Sequence, residues 1–176
     1  IDDFIANEKP NFKIEVVTAD HQNKADIASN KAREWIEREN VDTVTELVTT
    51  STALAVMKVA KEKDRLVIMN GPASTPITNE QCNDVSVHYT YDTYAVANGT
   101  AKAVTTQGGK SWFFLTADYA FGHALEKDSS TVVLANGGKV VGSVRHPFPG
   151  SDFSSFLLKA QASGAQVIGL ANAGAD

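Results

Sequence analysis

The chain reads as an α/β protein built on parallel sheets and divided into two units. Three observations predict this. Short β-branched or aromatic runs alternate with stretches of helical period along all 176 residues, and strands that alternate with helices pair in parallel through right-handed crossovers. The alternation pauses near Tyr89 to Asp92 and then restarts. Strands in both units run into loops that open toward a common cleft, where open α/β sheets take their ligands.

The elements follow in order. Ile1-Asp2-Asp3-Phe4-Ile5-Ala6-Asn7 reads as the last turns of a helix that begins upstream, so a longer parent protein is expected. Phe12-Lys13-Ile14-Glu15-Val16 alternates apolar and charged residues, as a half-exposed strand does. Asn23 is expected to cap a helix over residues 24–39, with Ala28, Ala32, Trp35 and Ile36 on its apolar face. The β-branched run 44–48 is a buried strand that spills into Thr49, Thr50, Ser51 and Thr52, and a helix follows. Leu66-Val67-Ile68-Met69 is a third strand. It is stopped by Asn70-Gly71-Pro72-Ala73-Ser74-Thr75-Pro76, whose small residues let a ligand approach the backbone. Val85-Ser86-Val87-His88-Tyr89 is a further short strand.

After Asp92 a helix is expected over residues 93–107, with Gly99 giving close packing on a neighbour. Residues 111–116 form a strand buried on both faces, followed by a loop at 117–120 and a helix over 121–135. Asn136-Gly137-Gly138 tolerates the left-handed conformation that ends helices. Residues 139–144 and 166–171 are strands. Between them Asp152 caps a helix whose Phe153, Phe156, Leu157 and Ala160 share a face.

Composition removes several classes of function. A net charge of -5 with both signs interspersed, and no basic stripe, argues against a nucleic-acid partner. No apolar run approaches the ~20 residues of a membrane-spanning helix. The phosphate-binding glycine motifs and the Gly-x-Ser-x-Gly elbow are missing. His21, His88, His123 and His146 fall on separate elements without metal-ligand spacing, and His123 reads as solvated, with no evident partner. No cofactor, metal or catalytic residue is expected, and the chain is not expected to be an enzyme. The single Cys82 reads as a free thiol.

The hydroxyl run carries the most information. An ordinary helix cap needs one hydroxyl, and here four stand in a row past the end of a strand. Orphan amides and the helix dipole at such a corner can hold an anion without a full positive charge.

Five segments together make the chain resemble the periplasmic substrate-binding proteins of branched-chain amino acid ABC transporters. They are Ala19-Asp20-His21-Gln22-Asn23, Thr49-Thr50-Ser51-Thr52-Ala53, Gly71-Pro72-Ala73-Ser74, Asp118-Tyr119-Ala120-Phe121-Gly122 and Ser151-Asp152-Phe153-Ser154-Ser155, in the family's order. The resemblance implies the type I periplasmic binding fold, two Rossmann-like lobes with parallel sheets. Both would be incomplete here: residues 1–90 as the first lobe without its opening strand, and 91–176 as the beginning of the second. It implies a clamp that closes on a small solute in the periplasm and delivers it to a membrane permease; a ligand-sensing receptor of the same fold is the alternative. Thr49 and Thr50, with Ser51 beside them, match the positions that hold a ligand carboxylate. Gly71, Pro72, Ala73 and Ser74 match a second loop of that lobe. Phe121 matches an aromatic of the second lobe, Tyr119 beside it is expected in the site, and Asn172 and Ala173 lie where a later strand enters the cleft. Two departures bear on the ligand. Phe121 stands where amino-acid binders often have tyrosine, and Ala173 stands where they often have a bulky aromatic. Fewer polar partners and more room suit a carboxylate on an aromatic or apolar body better than an ammonium group, though a branched-chain amino acid stays open.

Overall fold

The computed structural model describes residues 1–174; residues 175 and 176, the end of the expected second unit, lie outside it. The fold is α/β, and every strand pairing is parallel. One three-stranded sheet orders β1 (Thr43–Thr45), β2 (Leu66–Met69) and β3 (Ser86–His88) in sequence. The other sets β4 (Ser111–Ala117) between β5 (Lys139–His146) and β6 (Val167–Ala171).

The first sheet is covered by α2 (Ala25–Arg38) and α3 (Thr50–Lys63). Ala28, Ala32 and Ile36 of α2 are buried, as their spacing predicts, against Val56, Met57 and Val59 of α3 and Val67 and Met69 of β2. Around the second sheet lie α7 (Ala120–Ala135), α8 (Ser154–Ala162) and a broken helix. The broken helix comprises α5 (Thr93–Val96), a π-turn over Ala97–Ala101 and α6 (Lys102–Thr106). All of β4 is buried, and its Trp112 and Phe114 pack with Ala97, Ala101, Val132 and Val133 in a second core. Two short helices, α1 (Asp2–Glu8) and α4 (Thr75–Thr78), complete the set.

Several expectations need correction. Residues 12–16 form no strand: Phe12 and Val16 are exposed, and the segment pairs with no described strand, without which alternation cannot hold an extended backbone. The strand expected over 44–48 is shorter, because Glu46 turns to a φ of 60° and takes the chain out of the ladder. Asn23 is not a cap. Lys24 holds that position without a side-chain bond, and Asn23 has a φ of 54°. Gly99 gives no close packing, since a Cβ there would meet nothing within 4 Å. Leu157 is 53% exposed although its spacing places it with Phe153, Phe156 and buried Ala160.

Asp92 caps α5, its side chain accepting from the Ala95 amide. Asp152 was expected to cap α8, but Phe153 holds that position; Asp152 stands one residue earlier and accepts from the Ser154 amide. The Ser154 amide holds the Asp152 carboxyl below its usual range. Among the described residues no helix is long and apolar enough to cross a membrane.

Candidate functional site

A cavity of about 340 Å³ opens where loops of the two sheets face each other. One wall comes from the β1–α3 and β2–α4 loops, with Val48, Thr49, Thr50, Gly71, Pro72 and Ala73. The opposite wall carries Tyr119, Phe121, Phe148 and Pro149, and Ala173 and Gly174 follow β6 into the gap. Asn23 and Tyr91 close the sides.

The first wall is a helix start. Thr49 precedes α3, and the first helical bond runs from the Ala53 amide to the Thr49 carbonyl. The amides of Thr50, Ser51 and Thr52 therefore come before the helix's own ladder and carry its positive end. The hydroxyls hold one another. Thr52 Oγ1 donates to the Thr49 carbonyl at 2.9 Å and also lies 3.0 Å from Thr49 Oγ1. With the Thr52 proton already used, Thr49 is the donor in that second contact. Thr50 Oγ1 lies 2.7 Å from Ser74 Oγ, and both groups are buried. If Ser74 donates, the Thr50 proton stays free to turn toward an incoming oxygen.

Glycine makes this wall compact. A Cβ on Gly71 would come within 2.8 Å of the Leu47 carbonyl oxygen and 3.1 Å of Val48 Cα, so only glycine brings the two loops together here. Further support comes from behind. His88 of β3 bonds the Pro72 carbonyl through Nε2 at 2.7 Å and the Thr78 hydroxyl through Nδ1 at 2.7 Å. Asn70 donates to Glu46 at 2.6 Å, tying the ends of β1 and β2.

The second wall is aromatic. Tyr119 and Phe148 stack with centroids 4.2 Å apart and planes 8° from parallel, and Phe121 lies tilted 6.0 Å from Tyr119. Tyr119 caps α7, whose first helical bond is from the His123 amide. The start of α7 presses on the ends of β4 and β6. A Cβ on Gly122 would stand 2.2 Å from the Ala117 carbonyl oxygen and 2.9 Å from that of Ala171. His123 has a partner after all: its Nε2 is 2.7 Å from Asp118 Oδ1, because the first turn of α7 folds the two together. Neither residue borders the cavity.

Of the expected binding residues, Thr49, Thr50, Gly71, Pro72, Ala73, Tyr119, Phe121 and Ala173 surround this one space. Ser51, Ser74 and Asn172 do not border it. Ser74 is fully buried behind Thr50. Sequence reasoning missed Asn23, Val48, Tyr91, Phe148, Pro149 and Gly174. The Phe148-Pro149 pair past the end of a strand was a usable signal, as was an asparagine just before a helix. No Asp, Glu, Lys, Arg or His is among the described residues around the cavity, and no described cluster could hold a metal ion.

The chain is similar to known periplasmic proteins in sequence and in fold. The family model described as periplasmic binding protein matches residues 2–176. The Leu/Ile/Val-binding protein homolog 6 of Brucella abortus is 28% identical, over 89% of this chain and 44% of its own length. Among solved structures, a periplasmic binding protein of Burkholderia mallei is 56% identical with a TM-score of 0.94, over 98% of this chain and 47% of that one. An ABC-transporter solute-binding protein of Rhodopseudomonas palustris in complex with 4-hydroxybenzoate is 26% identical with a TM-score of 0.76, over 84% of this chain and 39% of that one. The chain thus spans less than half the length of each of these relatives.

Proposed function

This chain belongs to the periplasmic binding protein family, and on that premise we propose that it forms part of a periplasmic clamp for a small carboxylate on an aromatic or apolar body. In this reading residues 1–90 and 91–176 belong to two lobes, and the complete protein hands its solute to an ABC-transporter permease. It binds and does not catalyse. One observation carries the ligand class: the cavity faces a helix start across from an aromatic stack, and no charged side chain borders it among the described residues.

The chemistry follows from that pairing. A carboxylate would be gripped by the Thr50 amide and hydroxyl at the positive end of α3. Its apolar body would lie against Phe121, Phe148 and Tyr119, where ring contacts add to the burial of apolar surface. An α-ammonium would find no carboxylate among the described lining residues, and burying an unpaired charge is costly. The relatives span both kinds of ligand: one is named for leucine, isoleucine and valine, and another holds 4-hydroxybenzoate.

Calorimetry on the complete protein with 4-hydroxybenzoate, benzoate and leucine tests the reading. The aromatic acids should bind more tightly than leucine. Thr50→Val should weaken them by ~1.5–3 kcal/mol, the range for a hydrogen bond to a charged group, and Thr49→Val by less. Tighter binding of leucine would overturn the ligand class. Silence toward every small carboxylate would overturn the function.

A further inference from the structure

Beside the cavity, a dense polar cluster joins the two walls through a single carboxylate oxygen. Thr75 Oγ1 and Thr93 Oγ1 both donate to Asp128 Oδ2, at 2.6 and 2.5 Å, and lie 2.7 Å from each other. The amide of Thr75 donates to the Thr93 hydroxyl at 3.1 Å, and that of Tyr94 to the Thr75 hydroxyl at 3.2 Å. Thr93 is fully buried. Hydroxyl-to-carboxylate bonds of this kind are short and stronger than neutral ones.

The placement of the three residues gives the cluster its meaning. Thr75 directly follows Ser74, whose hydroxyl backs Thr50 in the first wall. Thr93 opens α5 just past the crossover between the sheets, and α5 packs on α7. Asp128 sits in the middle of α7, the helix whose first residues, together with its cap, carry Phe121 and Tyr119 of the second wall. The path runs from Thr50 through Ser74 and Thr75 to Asp128, and then along one unbroken helix to the aromatic ring face.

We propose that Asp128 is a positioning residue: through Thr75 and Thr93 it fixes the spacing and tilt between the hydroxyl wall and the aromatic wall. The carboxylate touches no ligand and acts only by holding the corner about which the walls face each other. Only the ligand arm of the test below rests on the binding reading given above.

The complete protein is used, with Cys82→Ser and nitroxide labels at Arg38→Cys in the first unit and Lys159→Cys in the second. Electron–electron resonance without ligand reports the distance between the units. Asp128→Leu removes the acceptor at similar volume, whereas Asp128→Asn keeps one oxygen able to accept both hydroxyls. A broadened or displaced distance distribution is expected for the leucine variant, with the asparagine variant like the parent. With 4-hydroxybenzoate as the probe, the leucine variant should bind at least about fivefold more weakly and the asparagine variant within about twofold of the parent. Parental distances and affinity in the leucine variant would overturn the proposal, as would an asparagine variant damaged just as badly. Should Asp128→Leu fail to fold, Thr75→Val decides by the same two readings. A parent that ignores the probe would sink the ligand class and leave the distance measurement to judge Asp128 alone.

Discussion

Replacing Thr50 with valine deletes a hydroxyl while keeping the β-branch and nearly the same shape, so no cavity opens at the start of α3. What it leaves behind is Ser74. Its side chain is fully buried, and its hydroxyl has Thr50 Oγ1 as partner at 2.7 Å. A buried hydroxyl stripped of its partner costs ~1–3 kcal/mol, so the single variant should lose stability in that range. Ser74→Ala strands Thr50, 1% exposed, in the same way. Removing both hydroxyls leaves no orphan. The double variant should therefore be less destabilised than the sum of the singles, by ~1–2 kcal/mol, a coupling within the usual range for residues in contact. Urea unfolding of the complete protein gives each stability, provided the slope stays constant across the four forms. Strict additivity would refute the argument, because it would mean that neither hydroxyl depends on the other.

Other outcomes follow from single features. Gly122→Ala drives a methyl against the Ala117 carbonyl oxygen and should cost ~1–3 kcal/mol or more in thermal unfolding, with weaker ligand binding as the start of α7 shifts. Gly99→Ala, exposed and with nothing within 4 Å, should raise stability by ~0.5–1 kcal/mol in the same scan. Glu62 accepts from Arg33, and that bond, foremost, holds its carboxyl below the usual range. Folding thus favours the ionised form, and its contribution is full above the ordinary carboxylate range and fades as pH falls through the lowered native value. Glu62→Gln should accordingly shift the urea midpoint at pH 7 and cease to do so in strong acid. Phe148→Leu removes one ring of the stack and should weaken 4-hydroxybenzoate in calorimetry by ~0.5–1.5 kcal/mol.

Much of the architecture was legible because each element announced itself locally. The apolar run Trp112 to Leu115 at the centre of β4 predicts burial on both faces, and the structure buries all seven of the strand's residues. Alternation of strand and helix predicts parallel pairing, which every ladder shows. What failed depended on partners. Phe12 to Val16 has the right alternation and no described strand beside it, so periodicity alone misled. Asn23 has a capping side chain but a left-handed backbone that carries it to the cavity edge instead. Around the cavity, the hydroxyl and glycine loops could be found because strand ends in such sheets are few. Tyr91 was out of reach, because nothing local tells an aromatic that borders a cleft from one that packs beneath it; Phe148, beside a proline past the end of β5, was not. Ser74 shows the converse: expected to face a ligand, its hydroxyl points at Thr50 and supports the wall from behind.

The uncharged lining has a consequence for how cargo is taken up. Around the cavity the described residues include no Asp, Glu, Lys, Arg, His or Cys. Capture of an acid there should exchange no protons with the medium, so its heat should be the same in phosphate as in Tris. Acidification would then loosen the complex only when the cargo itself becomes neutral.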